Sequence, residues 1–317
     1  MSGRSGGVAP SELRSYYGRP VIKEPAWKTP DVPLYLFLGG LAGASSVLAA
    51  AADLKGYRHL TRVARVTAGM GLLGSLAALI HDLGRPERFL NMLRVFKPTS
   101  PLSMGSWTLA TFGPLAGAAA VSEVTGRLSS AGRAAGLAAA ALGPAMSTYT
   151  SVLIADTAVP AWHEAHRELP FVFGGSAMAA AAGAALTAAP PGQTGPAGRL
   201  AVAGSVLELA AMELLQRRLG LVAEPYGKGR AGRLVRAAKV LTIAGTALAV
   251  GARRNRVGAA LAGGCLLGGS IALRFGIFEA GMDSASNPKY TVVPQRRRMS
   301  DGTSSALRDD AEPRRVE

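Results

Sequence analysis

The sequence predicts an all-α integral membrane protein of about eight transmembrane helices. Three observations lead there: long stretches without charge, Gly and Ala dominating those stretches, and charges gathered at the two ends and in short breaks. Averages conceal the pattern, since 49% hydrophobic residues and a mean hydropathy of +0.22 are ordinary for a chain of 317 residues. A bilayer core is ~30 Å thick, so a spanning helix needs ~20 mostly apolar residues. No Asp, Glu, Lys or Arg occurs in Val32 to Ala52, Pro98 to Ser122, Ala134 to Ala155 or Leu169 to Gly198. Val66 to Ile80 and Val257 to Leu273 are shorter stretches of the same kind. Leu200 to Leu215 carries Glu208 and Glu213, and Val240 to Ala252 is short. The predicted helices are 33–54, 63–83, 104–123, 133–156, 170–188, 199–216, 235–252 and 257–279. Small residues would make a poor core in water, but in lipid they let helix backbones approach closely.

This divides the chain into a polar arm (1–32), a membrane domain (33–280) and a tail (281–317). The arm has no apolar stretch near Met1, so no secretory signal is expected. The tail after Ser300 is charged and poor in apolar groups, which predicts disorder. The Tyr290-Thr291-Val292-Val293 run has extended propensity. The single cysteine, Cys265, lies within the last helix and cannot build a disulfide or a cluster alone. A net charge of +15 would suggest nucleic-acid binding in a soluble chain. Beside membrane helices it instead fits anionic headgroups, with no nucleic-acid partner.

An even number of spans puts both termini on one side, here called the terminal side. The arm, the 84–103, 157–169 and 217–234 loops and the tail all fall there, leaving four short turns opposite. The number of Lys and Arg favours cytoplasmic termini and their density favours the reverse; the count is followed here.

Ionisable groups inside a bilayer are costly, so each is a functional candidate. Helix direction places Tyr35, His81, Asp82, Tyr149 and Asp156 in the terminal half, together with Glu213, Arg274 and Glu279. Asp53 and Glu123 fall at the opposite ends of the first and third helices. Headgroup-zone placement competes with a site role for Asp53, Glu123 and Glu279, and a salt bridge competes for Asp82 and Asp156. Glu208 lies deeper; pairing with Arg274 is preferred for it, and a proton route through Glu208, Asp53 and Glu123 is the other reading. The hydroxyls of Ser147 to Ser151 serve either helix packing or a site.

The segment His81 to Phe96 is the most informative. Gly84 suits a helix C-cap, and Pro86 with Glu87 suits the first turn of a new helix. Phe89, Leu90, Leu93 and Phe96 then recur at helical spacing among Arg88, Asn91 and Arg94. That describes a short amphipathic surface helix roofing the polar groups below. An apolar slot headed by hydrogen-bonding groups suits a lipid-soluble ring with two carbonyl oxygens.

These residues resemble the NrfD family, the membrane subunit of polysulfide reductase and related molybdopterin or multihaem oxidoreductases. Asp82-Leu83-Gly84-Arg85-Pro86 with Arg88-Phe89 resembles the family's loop after helix 2, and Ser100 to Trp107 its entry to helix 3. Tyr149-Thr150 resembles the helix-4 motif whose tyrosine contacts quinone, and Pro160-Ala161-Trp162 with Pro170 continues the pattern. The arm Tyr16 to Lys23 and the tail Asn287 to Pro294 resemble an actinobacterial-type branch. On this reading the resemblance covers nearly the whole chain. It implies two four-helix bundles and a menaquinone site near the face that docks a four-cluster ferredoxin-like iron–sulfur subunit. A molybdopterin-type catalytic subunit, such as a formate dehydrogenase, is the further implied partner. Helix 1 offers Tyr35, Ser45 and Ser46 but lacks the family's usual His or Asn ligand.

The expected quinone-binding residues are Tyr149, Asp82, His81, Tyr35 and Asp156; Arg85, Pro86 and Arg88 hold the loop or dock the partner. No haem is expected among His59, His81, His163 and His166: His59 falls in an opposite-side turn, and His81 with His163 could pair in principle but both lie near a helix end. The chain is expected to sit in a prokaryotic cell membrane and to catalyse nothing alone. Two rival readings remain at this stage: a small-molecule transporter, which predicts inverted repeats with broken helices, and a purely structural anchor.

Overall fold

A computed structural model describes residues 22–23, 25–85, 87–251 and 255–296. Most of the arm, Pro86 and the tail beyond Arg296 therefore lie outside the described residues, as do the expectations for Tyr16 to Val21 and for disorder after Ser300.

Among the described residues, eight helices have 20 residues or more: α1 (Asp31–Leu54), α2 (Arg58–Leu83), α3 (Pro101–Thr125), α4 (Ser129–Ala155), α5 (Leu169–Ala188), α6 (Gly195–Leu219), α7 (Gly229–Gly251) and α8 (Arg256–Ser286). Six of them (α1, α2, α4, α5, α7 and α8) are long and apolar enough to cross a membrane. The two exceptions have different causes. α6 carries Glu208 and Glu213, whereas α3 is diluted by Ser103, Ser106, Thr108, Thr111 and two prolines. Several helices begin earlier than their apolar stretches. Polar first turns such as Arg58 to Arg62 continue the backbone ladder at a height where headgroups and water accept charge.

The ends are built from ordinary capping chemistry. Gly84 (φ 70°) and Gly126 (φ 68°) take the left-handed conformation that closes α2 and α3. Ser100 and Asn255 cap the starts of α3 and α8. α8 runs to Ser286, beyond the 280 boundary that hydropathy suggested. The tail expectation is corrected: residues 289–296 are helical, not extended. Asn287 accepts from the Lys289 amide at 3.1 Å, Pro288 occupies the first turn, and Val292 closes onto the Pro288 carbonyl at 2.9 Å. This cap outweighs the β-propensity of Tyr-Thr-Val-Val.

α1 packs against α2, α4 and α5, while α3 packs against α2 and α4. α5 packs against α6 and α8, and α7 against α8 and α6. The α1–α4 crossing decides where the site falls. A Cβ on Gly43 would lie 2.6 Å from the Gly143 carbonyl oxygen, so the two backbones touch where any side chain would hold them apart.

Candidate functional site: a tyrosine pair under a loop roof

From that crossing, Tyr35 lies eight residues back along α1 and Tyr149 six residues on along α4. At 1.5 Å per residue both climb roughly 9–12 Å toward the terminal side and arrive level. Their hydroxyls share a hydrogen bond, and their rings meet edge-on with centroids 6.4 Å apart. Tyr35 is buried and Tyr149 half-buried. Gly105 of α3 makes room for the second ring: a Cβ there would come within 2.6 Å of Tyr149 Cε2.

A cavity of about 30 Å³ adjoins the pair. Leu79 of α2, Gly105 and Leu109 of α3 and Leu153 of α4 wall it, and Met92 and Leu102 close it from the terminal side. Met92 ends the short helix Glu87–Met92. This is the surface helix expected after Gly84, ending earlier than its apolar spacing suggested. The rest of the roof is pinned to α3. Ser103 Oγ accepts from the Lys97 amide at 3.0 Å and donates to the Val95 carbonyl at 2.8 Å, and Phe96 meets Trp107 edge-on at 5.8 Å. Arg88 donates to the Leu83 carbonyl at 3.1 Å, closing the C-terminus of α2. Arg85 is exposed.

Three neighbouring hydroxyls of α4 are committed elsewhere, while Thr150 Oγ1 is buried without a partner. Ser147 donates to the Gly143 carbonyl, Thr148 to Pro144 and Ser151 to Thr148. These bonds serve the helix itself, and Ser147 also reaches the Gly40 carbonyl of α1 at 3.4 Å. The Tyr149 hydroxyl reaches out of α4 to another helix.

The other expected ligands stand apart from this cavity. His81 Nδ1 lies 2.8 Å from Asp31 Oδ2, and its side chain is 77% exposed. Asp82 accepts from the Lys28 amide at 3.2 Å. Together they tie the start of α1 and the segment before it to the end of α2. Asp156 is the exposed C-cap of α4. Among the described residues no group of three or more His, Cys, Asp or Glu gathers as a metal site would.

The residues read as a proton route separate in the structure. Asp53 and Glu123 meet at the opposite end on Arg65, at 3.4 and 2.8 Å, and Arg133 adds a 2.9 Å contact to Asp53. Glu208 lies instead between α6 and α7, where Oε1 accepts from Thr242 at 3.0 Å and Oε2 is buried without a partner. The direct Glu208–Arg274 pair preferred from the sequence is corrected: no ion pair joins them. Arg274 is fully buried, donates to the Phe173 carbonyl at 2.9 Å and the Leu36 carbonyl at 3.4 Å, and lies 3.8 Å over the Phe173 ring. Two backbone carbonyls accept from the guanidinium that a carboxylate was expected to meet, and Arg274 Nη1 is buried without a partner.

Sequence reasoning missed Gly105, Leu79, Met92 and Arg65. Gly105 and Met92 stood within stretches already singled out, but nothing local says which side chain a glycine must clear. Arg65 was hidden by counting as the boundary of an apolar stretch rather than as the centre of a charge cluster.

The fold and this site define a class: a multi-pass helical membrane protein with a pair of phenol hydroxyls beneath a loop roof at one face. The family described as polysulphide reductase NrfD matches residues 23–190, and the chain belongs to that family. The match takes in α1 to α5 and the whole tyrosine site, a shorter extent than the near-complete resemblance read from the motifs. A comparison with curated proteins found no match.

Proposed function

We propose that this chain is the quinone-interacting membrane anchor of an oxidoreductase complex. It would pass electrons between menaquinone and a partner iron–sulfur subunit on the terminal side. The observation that carries the reading is the Tyr35–Tyr149 hydroxyl pair, set across two helices at the head of an apolar cavity rather than spent on backbone. The family membership supports it.

The donors suit a quinone head and the volume constrains how it enters. A cavity of about 30 Å³ has room for water, not for a ring. Entry therefore requires the roof of residues 87–102 to lift, and that roof is a short helix and a loop on a few hydrogen bonds. Quinone reduction takes up two electrons and two protons, and quinol oxidation returns them. Tyr149 and Tyr35 hold the head by hydrogen bonds from their hydroxyls. His81, exposed at the same end and paired with the largely covered Asp31, would exchange protons with water. Asp82 and the roof residues Arg85 and Arg88 position that end against the partner; Asp156 lies on the same face.

In this reading all eight long helices span the membrane as two four-helix bundles, α1–α4 and α5–α8, with the termini in the cytoplasm of a prokaryotic cell. The partners are a four-cluster ferredoxin-like subunit and a molybdopterin-type catalytic subunit, in a respiratory chain. The test is menaquinol-linked turnover of the purified complex with Tyr149→Phe. A fall with intact assembly supports the reading, and full turnover rules the tyrosine site out.

A further inference from the structure

The opposite end of the molecule carries an unmatched surplus of positive charge beside an apolar groove. Asp53 and Glu123 are the only acidic residues there in the sequence, and Arg65 and Arg133 occupy both. Arg58, Arg62 and Arg127 are exposed, and among the described residues their side chains have no ion-pair or hydrogen-bond partner. Arg58 and Arg62 begin a stripe along α2 that continues through Val66, Met70 and Leu73, steps of four and then three that keep residues on one helix face.

Below the arginines, that stripe forms one wall of a groove of about 330 Å³ between α2 and α3. Gly117, Val121 and Val124 of α3 form the other wall, and Arg127 follows the end of that helix. The groove is open, and Met70, Leu73, Val121 and Val124 are each more than 60% exposed along it. Its volume falls within the range of ligand-sized sites, ~300–1,000 Å³. An occupant must therefore be apolar along its length and anionic at the end nearest the membrane surface.

We propose that this groove binds an anionic phospholipid, with one acyl chain between α2 and α3 and the phosphate against Arg58, Arg62 and Arg127. Charge complementarity selects this occupant over a neutral lipid or an isoprenoid chain. Neither of those satisfies three uncompensated guanidinium groups, whereas an anionic headgroup does so at the depth where basic residues meet membrane charge. The proposal stands apart from the quinone reading and survives or fails without it.

Native mass spectrometry of the full chain in neutral detergent, with equal amounts of phosphatidylglycerol and phosphatidylcholine, tests it. Phosphatidylglycerol should be retained roughly ten-fold over phosphatidylcholine. Arg62→Gln with Arg127→Gln should abolish that preference, and both residues are exposed and unpaired, so folding is not at stake. Gly117→Leu should fill the groove and expel the lipid. No neighbouring atom lies within 4 Å of a Cβ there, so the substitution fits without displacing a neighbour. Equal retention of the two lipids overturns the proposal. So does a preference untouched by the arginine pair, or a long-chain quinone retained in place of lipid and lost with Gly117→Leu.

Discussion

The tyrosine pair of α1 and α4 and the Arg274 centre of α5 to α8 are both buried polar clusters in apolar helices, yet they are built oppositely. Tyr35 and Tyr149 are neutral, bond across helices to each other, and border a cavity. Arg274 is charged and fully buried, and donates through Nε and Nη2 to the carbonyls of Leu36 in α1 and Phe173 in α5, with Nη1 left without a partner. A side chain bonded to fixed backbone from two other helices is a strut. A pair of hydroxyls bonded only to each other, beside a cavity, can exchange that bond for a ligand's oxygen at little cost. The difference separates a group kept for rigidity from a group kept for exchange, although both read as polar residues in an apolar helix.

The strongest way to break this comparison is at the strut. Arg274→Leu removes two bonds from a guanidinium and leaves Glu208 buried without the nearby positive charge. The expected loss is about 3–5 kcal/mol of stability, the scale of two hydrogen bonds from a charged group, seen as a lower thermal transition in detergent. Glu208→Gln added to that variant should restore part of it. An unchanged transition in Arg274→Leu would show that the centre is not structural.

Tyr149→Phe should behave in the reverse way. Turnover should fall by on the order of 10²-fold, the scale of losing a group that positions or exchanges a proton, while the transition moves little. A large stability loss with a proportionate turnover loss would make the tyrosines struts as well. Gly105→Ala sharpens the point without altering either hydroxyl. Its Cβ displaces the Tyr149 ring, so about a ten-fold loss of turnover is expected at unchanged expression.

The smallest effect lies on the terminal face. Hydrogen bonds from Lys228 and Lys289 hold the Glu224 carboxyl at about 2, below its ordinary 4.5. A depressed carboxylate contributes stability that is complete above its unfolded value and fades as pH falls from about 4.5 through about 2. Lys289 opens the tail helix, so hydrogen exchange in residues 289–296 should accelerate over that window. Glu224 is half-buried but its lysine partners reach solvent, which screens the pairs, and Glu224→Gln should cost about 1 kcal/mol. Tail exchange that ignores pH would detach the tail from Glu224.

Much of the fold was legible because lipid imposes a simple rule: backbone must be helical and side chains apolar over a fixed length. That rule found the helices and missed two kinds of detail. It started helices late at Arg58 and Gly229, because charged first turns are invisible to an apolar window. It left α3 and α6 uneven, since a run without charge is not the same as a run with high hydropathy. Within the site, Tyr35 and Tyr149 were legible from helix direction and turn counting. His81 and Asp82 shared their depth but not their direction, and rotation about a helix axis cannot be read from depth.

By itself, the sequence determined the number of long helices, the half of the molecule where hydroxyls and carboxyls collect, and the family's motifs. Those follow from local composition and residue spacing. Only the tertiary structure decided that Tyr149 meets Tyr35, that Arg274 answers carbonyls rather than Glu208, and that Arg65 consumes both acids at its end. Each depends on which faces two helices turn to one another, and that is set by close glycine contacts such as Gly43 on Gly143, between residues far apart in the chain.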